Sequence, residues 1–89
     1  MLLSNEQITE KLTSFPDWEY KDAALHFNRT FGDFAEAMVF VNKTAVVAEQ
    51  LNHHPDILIY NWNKVKLTVS THSEGGVTEL DFVLIGKLD

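Results

Sequence analysis

The sequence predicts a small α+β fold: a four-stranded antiparallel sheet with helices packed on one face, in the order α-β-β-α-β-β-α. Three observations predict it. Phe34, Ala37, Met38, Val41, Ala45, Ala48 and Leu51 recur at steps of three and four, the period of an amphipathic helix. Two pairs of short alternating runs flank that helix, Trp18–Lys21 with Ala24–Thr30 before it and residues 57–62 with 65–71 after it. The connections within each pair are too short for a parallel crossover, so each pair reads as a hairpin. With 89 residues, the chain suits one domain spanning positions 1–89.

The first element, residues 4–13, reads as a short helix. Ser4 with Gln7 fits a capping box, Ile8 and Leu12 give an apolar pair four apart, and Pro16 ends the element. Asp22-Ala23 is the expected turn of the first hairpin, although Asp-Ala is a weaker turn signal than Asp-Gly. In the second strand Leu25, Phe27 and Arg29 share one face and His26, Asn28 and Thr30 the other. Gly32-Asp33 opens the long helix, with Asp33 and Glu36 at capping-box spacing, and Asn52 and Pro55 bracket its end. In the second hairpin Asn63-Lys64 is the expected turn. Val65, Leu67 and Val69 are expected to face the core and Lys64, Lys66, Thr68 and Ser70 to face water. Glu74-Gly75-Gly76 reads as a loop. Thr78 reads as the N-cap of a last helix that buries Leu80, Val83, Leu84 and Leu88.

Composition bounds the function. Thirteen acids against seven bases give a net charge of −6, which opposes nucleic-acid binding. No apolar run is long enough to span a membrane, and no basic-then-apolar leader is seen, so a cytoplasmic protein is expected. There is no cysteine, which rules out disulfides and thiolate metal sites. A monomer of this fold would leave strand edges bare, so pairing between subunits is expected.

The chemistry-bearing residues concentrate in Glu49-Gln50-Leu51-Asn52-His53-His54-Pro55, at the end of the long helix. A helix C-terminus favours a protonated imidazole, and histidine titrates where a general acid or base must. His72 follows the last strand, and Asp81 sits in the first turn of the last helix. If that strand returns beside the helix end, His53, His54, His72 and Asp81 can converge. Each residue also has a plainer reading. A histidine at a helix end satisfies the dipole and the last carbonyls. Asp81, three residues after Thr78, is placed to cap a helix start. Glu49 reads equally as a solvated helix residue, and Trp18 as a hairpin aromatic. A three-histidine metal site is the rival chemistry, but adjacent histidines diverge and the i, i+4 pair of a zincin helix is absent. No metal ligands are assigned. The chain has no phosphate-cradling glycine loop and no nucleophile elbow.

Taken together these residues resemble the pterin-4a-carbinolamine dehydratase family. The family pattern is an acid, three residues, His-His-Pro, an aromatic, nine residues to a histidine, and an aspartate beyond a glycine-containing loop. Glu49, His53-His54-Pro55, Trp62, His72 and Asp81 fill it at the right spacing. Phe15-Pro16-Asp17-Trp18 and Tyr60-Asn61-Trp62-Asn63-Lys64-Val65 match further segments. Two departures stand out: Trp62 where many members carry Tyr, and Ile57 where many carry Trp. The resemblance implies a lyase that dehydrates 4a-hydroxytetrahydropterin to quinonoid dihydropterin in tetrahydrobiopterin recycling, with no metal or cofactor. It implies His53, His54 and His72 as the catalytic set and Glu49, Asp81, Trp18, Pro55 and Thr71 as substrate-binding, with Trp18 offering a stacking surface. It implies a homodimer or homotetramer. Two alternatives stand beside it: a non-catalytic dimerisation partner of a transcription factor, which would use the helices rather than the histidine pocket and to which nothing in the sequence points, or an enzyme for another pterin, such as one of molybdenum-cofactor metabolism, with similar pocket residues.

Overall fold

The computed structural model describes residues 1–88, so the last position of the expected domain lies outside the described residues. Three helices, α1 (Asn5–Leu12), α2 (Phe34–Leu51) and α3 (Glu79–Leu88), alternate with strands β1 (Trp18–Lys21), β2 (Ala24–Thr30), β3 (Asp56–Tyr60) and β4 (Lys64–Val69). The order is the expected α-β-β-α-β-β-α. The strands form one antiparallel sheet, β1-β2-β4-β3, so the second hairpin is inserted with β4 beside β2 and β3 at the edge.

Register explains the core. Cross-strand partners share a face, and Trp18, Phe27, Leu67 and Ile57 form one row across all four strands. Leu25 with Val69, and Val65 with Ile59, continue that face. Ile8 of α1, Ala37, Phe40 and Val47 of α2, and Phe82, Leu84 and Ile85 of α3 cover it and complete the core. Val65, Leu67 and Val69 are fully buried, as their alternation predicts.

Local chemistry sets the element ends. Ser4 caps α1 by the expected reciprocal bonds: its hydroxyl accepts the Gln7 amide at 3.1 Å and its amide donates to Gln7 Oε1 at 2.7 Å. Asp33 caps α2, accepting the Glu36 amide at 2.8 Å. The turn Asp22-Ala23 has φ of 52° and 60°, the left-handed pair that a two-residue hairpin requires. Alanine is strained there, by about 1 kcal/mol relative to glycine. Ala23→Gly is therefore expected to stabilise the fold by up to about 0.5 kcal/mol after the entropy of a freer unfolded chain is counted. A thermal melt checks this: the midpoint should rise by a few degrees.

Four expectations are corrected. The second hairpin turns at Asn61 and Trp62, with φ of 46° and 56°, rather than at Asn63-Lys64. Lys64 already pairs with Tyr60, and β3 starts at Asp56 and excludes Trp62. Asn63 is drawn away from the turn: its amide side chain donates to Phe31 O at 2.9 Å, and its carbonyl accepts the Phe31 amide at 2.7 Å. The last strand ends at Val69, not at residue 71. In α2 the buried stripe is Ala37, Phe40, Thr44, Val47 and Ala48, while Phe34 and Ala45 are exposed. Valines and phenylalanines on neighbouring faces leave the phase of that helix open to periodicity. Thr44 is tolerated in the stripe because its hydroxyl donates to Phe40 O at 2.9 Å. In α3 the buried set is Asp81, Phe82, Leu84, Ile85 and Leu88, and Val83 is exposed.

Candidate active site

The site is built from the C-terminal end of α2 upward. The helix stops at Leu51, and Asn52 takes the left-handed conformation with φ 48°. The Asn52 amide donates to Glu49 O at 3.3 Å and the His53 amide to Ala48 O at 3.0 Å, the paired bonds of a Schellman cap. Asparagine is the residue other than glycine that best tolerates this turn. The cap fixes the backbone of His53 and turns the chain toward β3.

His53 then meets Asp81. Its Nε2 lies 2.5 Å from Asp81 Oδ1, and the imidazole is only 10% exposed. Asp81 is fully buried, and its other oxygen is satisfied twice: Oδ2 accepts the Thr71 hydroxyl at 2.8 Å and the Thr78 amide at 2.8 Å. A buried carboxylate needs such partners, since an unpaired one would carry a large desolvation cost. The helix-cap reading of Asp81 holds, and the same carboxylate also bonds His53. The carboxylate caps α3 through the Thr78 amide and orients His53 with the opposite oxygen. This anchoring also explains the roll of α3, which turns Asp81 inward at the expense of Val83.

His54 makes a second carboxylate–imidazole pair. Its Nε2 lies 2.5 Å from Glu49 Oε2, but both side chains are exposed, so solvent screens the pair. The two histidines diverge, as adjacent residues must, and each finds its own acid. Among the described residues, no three His, Cys, Asp or Glu side chains gather as ligands for one ion.

Thr71 lies beyond the last strand and joins Gly76 through an isolated bridge, its amide donating to Gly76 O at 2.8 Å. The loop between them is a 3-10 turn, His72–Glu74, closed by Gly75 at φ 75°. His72 is exposed and opens this turn, one residue from the threonine that holds Asp81. The Leu3 amide donates to Val77 O at 2.9 Å and ties the N-terminal segment against the loop. Pro55 is half-buried and leads from His54 into β3.

The fold thus joins His53, Asp81 and Thr71 by direct hydrogen bonds, and His54 to Glu49. His72 arrives by chain connection to Thr71. Trp18 is not brought there. It belongs to β1, at the sheet edge opposite β3, and three strand spacings (about 14 Å) separate it from the strand that follows the histidines. Its ring is buried against Phe27, with centroids 5.0 Å apart, so it is a core residue and offers this site no stacking face. Thr78, read from the sequence only as a helix cap, is a member of the cluster. Its spacing to Asp81 was visible, but its contact with Thr71 depends on tertiary structure. An apolar groove of about 310 Å³, lined by Phe31, Glu36, Val39, Phe40 and Lys43, lies near the other end of α2. Phe40 is about 18 Å along the helix from Asn52, so the groove is separate from the histidines.

A sequence model of the pterin 4 alpha carbinolamine dehydratases matches residues 1–89. The chain belongs to this family. Relatives bearing the dehydratase family name include a protein of Nostoc punctiforme, 46% identical over 81 residues that cover 91% of this chain and 86% of the relative. Another, from Sulfolobus acidocaldarius, is 40% identical over 89 residues, covering 100% of this chain and 97% of the relative. Among solved structures, the transcriptional coactivator/pterin dehydratase of Brucella melitensis superposes with a TM-score of 0.93 at 36% identity, covering 99% of this chain and 95% of that one. A pterin dehydratase-like protein identified as a RuBisCO assembly factor shares the fold, with a TM-score of 0.64 at 19% identity over 80% of this chain and 81% of its own. Membership in the dehydratase family supports a dehydratase-type function in general. No helix among the described residues is long and apolar enough to cross a membrane.

Proposed function

We propose that this chain dehydrates 4a-hydroxytetrahydropterin to quinonoid dihydropterin, serving the recycling of tetrahydrobiopterin. The observation that carries the reading is the His53–Asp81 pair, a nearly enclosed imidazole oriented by a fully buried carboxylate in a dehydratase-family fold. In the reaction the bond from C4a to the hydroxyl oxygen breaks, the adjacent ring nitrogen loses its proton, and a carbon–nitrogen double bond forms as water leaves. One group must protonate the departing hydroxyl and another must accept the ring proton. His53 and His72 are the first acid–base pair to consider, with His54 binding the pterin or sharing the proton traffic. Glu49 holds the His54 imidazole as Asp81 holds that of His53. Pro55 and Thr71 lie beside these groups as candidate substrate contacts. The chemistry asks for proton transfer alone, which side chains can supply without a metal or cofactor.

The test is an ultraviolet stopped-flow assay with freshly generated 4a-hydroxytetrahydropterin and metal-stripped protein. Faster loss of the adduct with the wild-type chain supports the reading. No acceleration by a folded chain overturns it and moves the function to another pterin or to protein binding.

The same proposal includes a homodimer. β3 is an edge strand in the chain, and Ile57, Leu58, Tyr60 and Trp62 along it and its turn are all exposed. Such an edge invites antiparallel pairing with a second copy. Sedimentation equilibrium should return twice the chain mass, and Leu58→Lys should weaken association at least tenfold. A wild-type chain that sediments as a monomer at tens of micromolar would refute it.

A further inference from the structure

The hydroxyl of Thr78 carries a direction that its neighbours impose. A hydroxyl has one proton to donate and two lone pairs to accept with. Thr71 commits its proton to Asp81 Oδ2, at 2.8 Å. The 2.8 Å contact between the two threonine hydroxyls must then run from Thr78 to Thr71. Thr78 Oγ1 in turn accepts the Leu80 amide at 3.3 Å. The chain of donors has one polarity: from the first turn of α3, through Thr78 and Thr71, to the carboxylate, whose second oxygen receives His53. Thr78 is itself only 6% exposed. An ordinary helix cap needs the bond to Leu80 and nothing more. The link to Thr71 is additional.

We infer that Thr78 is a positioning residue for His53. Its hydroxyl holds Thr71, Thr71 holds the plane of the Asp81 carboxylate, and that carboxylate keeps the proton of neutral His53 on Nε2. The other ring nitrogen, Nδ1, has no hydrogen-bond partner among the described residues, yet no buried side-chain nitrogen there lacks one. Nδ1 is therefore not sealed in the core, and in this inference it is the nitrogen that works in the proposed dehydration. The inference rests on the dehydratase reading for its consequence in turnover. Its claim about the tautomer stands apart from that reading.

The experiment compares wild type with Thr78→Val, which keeps shape and loses the hydroxyl, and with Thr78→Ser, which keeps the hydroxyl. Two-bond proton–nitrogen NMR of the His53 ring gives the tautomer. Wild type and Thr78→Ser should show a protonated-type Nε2 and a lone-pair-type Nδ1, whereas Thr78→Val should show the two nitrogens averaged. In the stopped-flow assay kcat should fall about tenfold in Thr78→Val with KM unchanged, and Thr78→Ser should restore it. Thr71→Val, which leaves the Leu80 cap intact, should give the same NMR signature if Thr78→Val folds poorly. A Thr78→Val chain that loses only thermal stability, with the His53 tautomer unmoved, overturns the inference. So does a serine variant that fails to restore the wild-type spectrum. Should the wild type dehydrate nothing, the spectra still decide the positioning role, so the two failures are distinguishable.

Discussion

Asp81→Asn is expected to fold and to lose about a hundredfold or more in turnover. The reason lies in how the two carboxylate oxygens are used. On one side Thr71 and the Thr78 amide both donate, so the asparagine must turn its carbonyl oxygen to them. Its amide nitrogen is then forced toward His53 Nε2, where the aspartate had an acceptor. Two donors cannot share that contact, and neutral His53 escapes by moving its proton to Nδ1. The wrong nitrogen then carries the proton in the reaction, a tautomer error that costs as much as four orders of magnitude in an aspartate–histidine–serine triad. Asp81→Ala should behave differently. It strands three donors at a fully buried position, each at about 1–3 kcal/mol, and removes part of the α3 cap. A denaturant titration of both variants, beside their turnover, separates orientation from stability. An asparagine variant of wild-type activity would remove Asp81 from the mechanism.

The second large effect is at His53 itself. His53→Ala should reduce turnover by roughly 10²–10⁴-fold, the usual contribution of one positioned acid or base. It also leaves Asp81 Oδ1 without a donor, so some loss of stability is expected alongside. His53→Gln is the sharper variant, because its amide can still donate to Asp81 and cannot exchange a proton near neutral pH. His72→Ala gives the complementary case. His72 is exposed on a short turn, so its removal should change stability by less than about 0.5 kcal/mol while turnover falls strongly. Unchanged turnover in both the His53 and His72 variants would end the assignment of this pair.

Much of the fold was legible before any coordinates. The capping signals at Ser4 and Asp33, the alternation of Val65, Leu67 and Val69, and the turn at Asp22-Ala23 are local, and local interactions set them. The same holds for Asn52 at the end of α2. Where apolar residues spread beyond one face of a helix, as Val39 and Val46 do in α2 and Val83 does in α3, periodicity leaves the buried face undetermined, and packing against the sheet selects it. The second hairpin turn was misplaced because Asn63 looks like a turn residue, while its bonds to Phe31 lie 32 positions away along the chain.

For the site, the division is similar. The sequence by itself determined the candidates: His53 and His54 beyond a helix end, His72 before a glycine loop, Glu49 four residues before His53, and Asp81 at a helix start. These follow from residue type and spacing, which govern caps and local pairs. Only the tertiary structure decided which acid serves which histidine, that Thr78 belongs to the network, and that Trp18 belongs to the core. Those outcomes depend on contacts such as His53 with Asp81, 28 residues apart. They exist because burying a carboxylate requires several donors at once, and the fold must bring those donors from separate elements.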